Sequence, residues 1–492
     1  MKHPGSVTGF CMLLSIRNTE GISKMSFADF NDPSLLQDID RFVRTHEEDV
    51  VRDIARLVSI PSVEGPAEPD APFGSEPKRA LLCALQIAEA LGLQTANCEN
   101  RMGYAFLGED HGQGHLATIT HLDVVPAGDG WTADPFTLRE QDGWLLGRGV
   151  MDDKGPSVLC LYALKYLKDA GVPLRYPIRV LLGTNEESHM HDLDYYLEHY
   201  PAPLFCFSPD ADFPLIYGEK GIYHGRLVSR HTPVNVLEIS GGVAANAVPA
   251  KASAKVRAFG LKSSGSVTAE ESEPGVWTLS AAGISGHASL PAGTVNAIGL
   301  LVDYLLENGI PADSERPYFE LIARLLRVTD GSLLGLQSSD EFFTPLTAVG
   351  GKISTDAEGY IAQTVDCRYG LTLTGERITA LLQEAAGAAA EVLVDADSVP
   401  FCMNPENPAV CACIDSYNQV TGEKAKPFTI GGGTYARHFP NAVAFGPEHR
   451  ERPMPDFCGP IHGVNEAAKK ADFMEALRIY ILALLRLETL DY

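Results

Sequence analysis

The sequence predicts an α/β protein in two parts. A first domain, residues 31–218 and 401–492, is built on a mixed, mainly parallel sheet covered by helices, and an α+β domain at 219–400 is inserted into it. Three observations predict this. Helical and strand-type apolar spacings alternate with short connections as far as Leu182, the texture changes between about 219 and 400, and helical spacing returns near the C-terminus.

From Asp32 to Val58, the residues Leu35, Leu36, Ile39, Phe42, Val43, Val50, Val51, Ile54, Leu57 and Val58 recur at helical spacing, and Pro61 closes the segment. Glu76-Pro77 opens a second helix that runs through Leu91 to Gly92. Leu116 to Thr120 is a short apolar run suited to a buried strand, Ser157 to Ala170 is helical, and Ile178 to Leu182 is again strand-like. The inserted region carries Gly-Ser-rich stretches such as Ser263-Ser264-Gly265-Ser266 and an alternating strand pattern at Val276-Trp277-Thr278-Leu279. Helices are expected at Val295 to Glu307 and Ile378 to Ala390. A long amphipathic helix from Val464 to Leu487 is expected to return to the first domain.

The chain has 492 residues, with 39 Lys+Arg against 64 Asp+Glu, a net charge of −25. That field repels phosphate backbones and anionic headgroups, so neither nucleic acid nor a membrane is expected as partner. No apolar run approaches the roughly 20 residues that span a bilayer. The 10 cysteines lack the dense, regular spacing of a disulfide scaffold and read as buried thiols in a reducing, cytoplasmic setting. Cys411-Ala-Cys413 lies in an ordinary helix start, Asn-Pro-Ala-Val, without a second pair at zinc-site spacing. Residues 1–30 are read as an N-terminal extension. Val7 to Ile16 is apolar, but no clear small-residue cleavage site follows it, and Met25 stands just ahead of the first periodic segment.

Chemistry-bearing residues gather in short clusters. Thr120-His121-Leu122-Asp123 places an imidazole and a carboxylate at the mouth of a strand. Gly147-Arg-Gly-Val-Met-Asp152-Asp153-Lys-Gly155 holds adjacent carboxylates that repel unless a cation neutralises them. Asn185-Glu186-Glu187 and Ser208-Pro-Asp210-Ala-Asp212 add carboxylates at strand ends, and Ile461-His462-Gly-Val-Asn-Glu466 adds a histidine ahead of the last helix. Carboxylates with imidazole and no thiolate favour zinc, manganese or cobalt. A shared carboxylate can bridge two such ions, and a nearby Glu can move the proton of an attacking water.

In order and spacing, these motifs resemble the di-zinc metallopeptidase family that includes aminoacylases, glutamate carboxypeptidases and succinyl-diaminopimelate desuccinylase. Within it, the pattern resembles the bacterial Xaa-His dipeptidase, or carnosinase-like, branch. The resemblance runs from about residue 35 to the C-terminus. It implies two Zn2+ per chain, with Mn2+ or Co2+ possible: His121, Asp152 and Asp210 on one ion, Asp152, Glu187 and His462 on the other, and Asp152 as bridge. Asp123 would orient His121, Glu186 would be the general base, and the Asp152–Asp153 peptide would be cis.

Further motifs resemble the lid and substrate loop of the same family. They are Gly241-Gly-Val-Ala-Ala-Asn246-Ala-Val-Pro249, Gly283-Ile-Ser-Gly-His287-Ala-Ser289, Asp366-Cys-Arg368-Tyr369 and Gly431-Gly432-Gly433-Thr434-Tyr-Ala-Arg437. The resemblance gives Asn246 and His287 to the tetrahedral intermediate, and Arg368, Gly432, Gly433, Thr434 and Arg437 to the substrate. The long lid resembles monomeric relatives that complete their site in one chain. The expected activity is a metallodipeptidase acting on small peptides. An N-acyl amino acid deacylase or carboxypeptidase of the same family is the first alternative, and a non-catalytic peptide-binding protein the second. Two departures stand out: Ser188-His189-Met190-His191 after the Glu pair, where relatives have Thr-Gly, and Arg450-Glu-Arg-Pro-Met-Pro-Asp456 ahead of His462.

Overall fold

A computed structural model of the chain describes residues 30–109 and 111–492. The expectations for Val7 to Ile16, Met25, Cys11 and most of the N-terminal extension fall outside the described residues.

The strands form two large sheets. One draws on residues 94–219 and 401–444, in the order Gln94–Cys98, Met102–Leu107, Ile178–Gly183, Leu116–His121, Phe205–Ser208, Ala442–Ala444, Ile216–Glu219, Phe401–Cys402. Its centre is parallel and its margins antiparallel. Leu116–His121 is buried at every position, as a central strand covered on both faces must be. The helices Pro33–Val58, Ser75–Ala90, Lys154–Asp169 and Lys470–Leu487 cover it with one continuous apolar core. The first of these opens where its sequence directs: the Asp32 carboxylate accepts from Ser34 N–H at 2.8 Å, and proline occupies the first turn.

The second large sheet is antiparallel throughout and uses residues 221–398 only. Helices Ala297–Glu307, Arg316–Leu326 and Gly375–Ala386 pack on it around a separate core. The chain thus leaves the first sheet at Lys220 and rejoins it at Phe401.

Three expectations are corrected. The last helix begins at Lys470, not Val464, because Asn465 is left-handed (φ 57°) and Ala467–Lys469 pairs as a strand with Trp144–Leu146. Its exposed face is narrow: 13 of its 18 residues are buried, and Ala471, Glu475, Arg478 and Arg486 form the stripe left uncovered. The helix expected to reach Ala390 stops at Ala386, where Gly387 turns out with φ 50° and Ala390 opens a strand. Of the nine described cysteines, all free, Cys83, Cys402, Cys411 and Cys458 are only half-buried. Among the described residues, no helix is long and apolar enough to cross a membrane.

Candidate metal centre and substrate site

The parallel strands deliver their ends to one place. His121 closes its strand, Glu186 and Glu187 follow Ile178–Gly183, and Asp210 follows Phe205–Ser208. In an open parallel sheet this carboxyl-end crevice is where ligands bind. Asp152 arrives from the loop ahead of helix Lys154–Asp169, through a cis peptide to Asp153.

Asp152 lies between two imidazoles. Its Oδ1 is 2.8 Å from His121 Nε2, and its Oδ2 is 2.9 Å from His462 Nε2. Glu187 Oε2 is 3.0 Å from His462 Nε2, and Asp210 Oδ2 is 3.7 Å from His121 Nε2. His121 Nδ1 faces the Asp123 carbonyl at 3.0 Å, which fixes its proton there and turns the Nε2 lone pair toward the carboxylates. The Asp123 carboxylate, 3.5 Å from the same nitrogen, also accepts from Glu186 N–H (3.2 Å) and Glu187 N–H (3.0 Å). One residue therefore sets both the ring and the acidic turn.

The electrostatics of this cluster suit cations. Burial raises Asp152, but the two imidazoles override it and hold the carboxyl well below its ordinary range. Burial, with Asp152 facing it, pushes Asp210 up to about 7. Glu186 is raised well above its usual value by burial and then by Asp210, Glu187 and Asp152, with His121 opposing. Hydrogen bonds to Asp152 and Glu187 take His462 up to about 11. Four carboxylates thus face two imidazoles. His121 Nε2 and Asp152 Oδ1 are buried without a partner of hydrogen-bond geometry. A ring nitrogen and carboxylate oxygens are the donor types that hard and borderline divalent ions take, and the residues fit such ions.

Neither close grouping matches an expected ligand set, and neither includes His462. His121, Asp152 and Glu187 bring one donor atom each within 4.8 Å of one another, and so do His121, Glu186 and Asp210. Glu186 stands beside Asp210 because the Asp123 carboxylate ties down two successive backbone N–H groups of the turn.

A cavity of about 210 Å³ opens on this cluster, lined on one side by Asp152, Glu186, Glu187, Asp210 and His462 and on the other by Gly432, Gly433 and Thr434. The lid meets the glycine loop beside this cavity, at Gly431. Asn246 adjoins His287 through the strand pair 247–248 and 286–287, with Ala288 N–H donating to the Asn246 carbonyl. Ser289 packs so near the glycine loop that a Cβ on Gly431 would lie 2.7 Å from its own, which demands glycine. Ser289 N–H donates to His287 Nδ1 at 3.2 Å, leaving the ring proton on Nε2. Burial, Arg368 and Arg450 lower the His287 pKa, and Asp366 opposes them.

Arg368 is clamped by both oxygens of Asp366 (2.8 and 2.9 Å), and its Nη1 donates to the Gly431 carbonyl at 3.0 Å. His224 backs Asp366 at 2.8 Å. Contrary to expectation, Asn246, His287, Arg368 and Arg437 stand outside the lining of the cavity itself, Arg437 with its Nη1 close behind Gly433. Arg437 Nη2 donates to the carbonyls of Lys220 (3.1 Å) and Val399 (2.7 Å), bracing the two crossings between the sheets, and its Nε is 4.0 Å from Glu219. His189 and His191 stack on each other, exposed, and join no metal-binding group.

Glu466 is a functional residue the sequence reading left without a role. Fully buried, it accepts from Arg148 (2.6 Å) and from the N–H groups of Gly149 (3.1 Å), Met151 (3.0 Å) and Asp152 (3.3 Å), while Arg148 also holds the His462 carbonyl at 3.2 Å. A lone acid between Val464 and Ala467 was the available signal. Glu466→Ala leaves the Arg148 charge buried and unpaired, so a loss of about 3–5 kcal/mol is expected, read as a lowered unfolding midpoint in denaturant. An unchanged midpoint would contradict this role. Asp192 does similar work for the acidic turn, accepting from Thr184 N–H, Asn185 N–H and Tyr435 Oη at 2.6, 3.1 and 2.6 Å.

Comparison with known proteins gives the family and the fold. A family model described as Peptidase family M20/M25/M40 matches residues 117–486. The putative dipeptidase YtjP of Bacillus subtilis (strain 168) is 31% identical over 461 residues, covering 90% of this chain and 97% of the relative. A Beta-Ala-Xaa dipeptidase of Lactobacillus delbrueckii subsp. lactis is 29% identical over 457 residues, 89% of this chain and 96% of the relative. Among solved structures, aminoacylhistidine dipeptidase from Vibrio alginolyticus superposes with a TM-score of 0.57 at 15% identity, covering 89% of this chain and 96% of the other. Human carnosine dipeptidase 1 superposes at 0.56 and 16%, covering 93% and 100%. At those identities, the structural likeness speaks for the fold.

Proposed function

The chain belongs to peptidase family M20/M25/M40, and from that premise we propose that it is a metallodipeptidase in which Glu186 is the general base. The observation that carries this reading is Asp152, which turns one carboxylate oxygen to His121 and the other to His462. His121, Asp152 and Asp210 would hold one cation and Asp152, Glu187 and His462 the second. Zinc is the first choice, with manganese or cobalt able to serve. Bound there, two cations supply Lewis-acid polarisation of the peptide carbonyl and lower the pKa of water toward ~7.

The chain's own groups do the rest. Glu186 takes the proton of the attacking water and passes it to the amine nitrogen as the C–N bond breaks. His287 Nε2 donates to the carbonyl oxygen as charge grows on it, with Asn246 beside it. Gly432 and Gly433 offer bare backbone N–H groups to a substrate carboxylate, and Arg368, from the lid strand Ile361–Tyr369, donates to the Gly431 carbonyl of that loop. Thr434 gives its N–H and hydroxyl to buried Glu219, so it shapes the loop from behind, as Arg437 does. Arg368 meeting Gly431 of its own chain supports a monomer whose lid completes the site in cis. The free cysteines support a reducing, cytoplasmic setting.

The test is hydrolysis by zinc-reconstituted protein of a dipeptide library that includes tripeptides and N-acetyl amino acids. Dipeptides are expected to show the highest kcat/KM, by at least tenfold. Faster turnover of N-acetyl amino acids would replace this reading with deacylation.

A further inference from the structure

A second cavity, of about 130 Å³, adjoins the catalytic one, and the two share the walls Met151, Pro447, Glu448, Arg450 and Ile461. We propose that this cavity is the specificity pocket for one apolar side chain of the substrate. The inference rests on the dipeptidase reading and extends it to a substrate class.

Position is the first argument. Met151 and Ile461 are chain neighbours of Asp152 and His462, the two residues joined through Asp152 Oδ2. A peptide whose carbonyl lies at that cluster therefore lies beside the shared wall.

Chemistry is the second. Trp144, Met151, Met454, Pro460, Ile461 and Ala467 give the pocket an apolar wall, and Glu448, His449, Arg450, Arg452, Lys469 and Asp472 line the rest. Each of these charges has a counterpart: Arg452 pairs with Asp472 (2.6 Å) and Glu475 (3.0 Å), Arg450 with Asp212 (2.8 Å) and, more loosely, Glu448 (3.8 Å), His449 faces Glu475 at 3.6 Å, and Lys469 faces Asp472 at 3.8 Å. A charged side chain entering there would find its counter-charges already engaged, whereas an apolar one loses only water.

Size is the third. The pocket is close to the cavity of about 150 Å³ that accommodates benzene in a protein core, so it takes a group of leucine or phenylalanine scale. Two methionines in the wall allow it to adapt to either shape.

Rigidity is the fourth. The floor is a three-stranded sheet in which Trp144 pairs with Lys469 and Leu146 with Ala467. The roof is the Arg450–Asp456 stretch that departs from the family pattern, pinned by Arg452 to the last helix. A preformed pocket with such anchors discriminates without needing to reorganise.

The experiment compares Xaa-Gly and Gly-Xaa dipeptides, with Xaa as Gly, Asp, Lys, Leu or Phe, on zinc-loaded wild type, Met454→Trp and Met454→Ala. Met454 is 42% exposed on a loop, so neither change disturbs the core. At one substrate position, wild type is expected to prefer Leu or Phe over Gly, Asp and Lys by at least tenfold in kcat/KM, the range that apolar pockets achieve. Met454→Trp should lower the Leu/Gly ratio at that position at least fivefold, and Met454→Ala should raise Phe relative to Leu. Absence of any apolar preference in wild type, or equal loss on all substrates in Met454→Trp, would overturn the proposal. Failure of wild type to cleave any dipeptide would instead remove the dipeptidase reading beneath it.

Discussion

Glu186→Gln is expected to lower kcat for dipeptide hydrolysis by about 10²–10⁴-fold, the usual worth of a positioned general base, while the protein still binds two metal equivalents. The substitution keeps the size of the side chain and removes only its capacity to take a proton. The turn itself is held by its backbone, through Glu186 N–H and Glu187 N–H on the Asp123 carboxylate and through Thr184 and Asn185 N–H on Asp192. Geometry should therefore survive the change. The measurement has two arms, because Glu186 also lies within 4.8 Å of His121 and Asp210 donor atoms. Steady-state kinetics reads the base, and metal analysis after dialysis reads the ligand set. A variant that loses one equivalent along with activity would make Glu186 a ligand and leave the base unassigned.

Much of this arrangement is legible in the sequence because it depends on local signals. An apolar run followed at once by His121, or after Gly183-Thr184-Asn185 by Glu186-Glu187, states both that a buried strand is ending and that polar groups emerge at its mouth. Asp32 followed by Pro33, and Asn407 followed by Pro408, mark helix starts by capping chemistry that acts within a few residues. What the sequence hides is long-range. Residues 464–469 include Glu, two Ala and Lys, good helix formers, yet Glu466 gives its carboxylate to four donors in the 148–152 stretch and the backbone follows. Arg437 sits in a loop motif that resembles a substrate clamp, but its partners Glu219, Lys220 and Val399 are distant in the chain, and spacing does not reveal them. The strand Gln94–Cys98 has no clean alternation, only its last residue is fully buried, and pairing with Met102–Leu107 is what defines it.

The second large effect concerns the carboxylate between the two rings. Asp152→Ala is expected to lose both metal equivalents, whereas His462→Ala should lose one. The asymmetry follows from the contacts: Asp152 meets His121 through Oδ1 and His462 through Oδ2, whereas the His462 ring meets Asp152 and Glu187 and leaves His121 with Asp210 intact. Removing a ligand from one ion leaves the other its set, while removing a shared ligand weakens both and also withdraws the negative charge that offsets two neighbouring dications. A ligand that binds only the folded chain stabilises it by RT ln(1 + [L]/Kd), about 2.7 kcal/mol at a hundredfold excess over Kd. Added zinc should therefore raise the unfolding temperature of wild type and, by less, of His462→Ala, and leave Asp152→Ala unmoved. Retention of one tightly held equivalent in Asp152→Ala, with a zinc-dependent rise in its unfolding temperature, would mean that the two ions do not share this carboxylate. The two-ion account of the site would then have to be rebuilt around Glu186, the carboxylate that stands beside both His121 and Asp210.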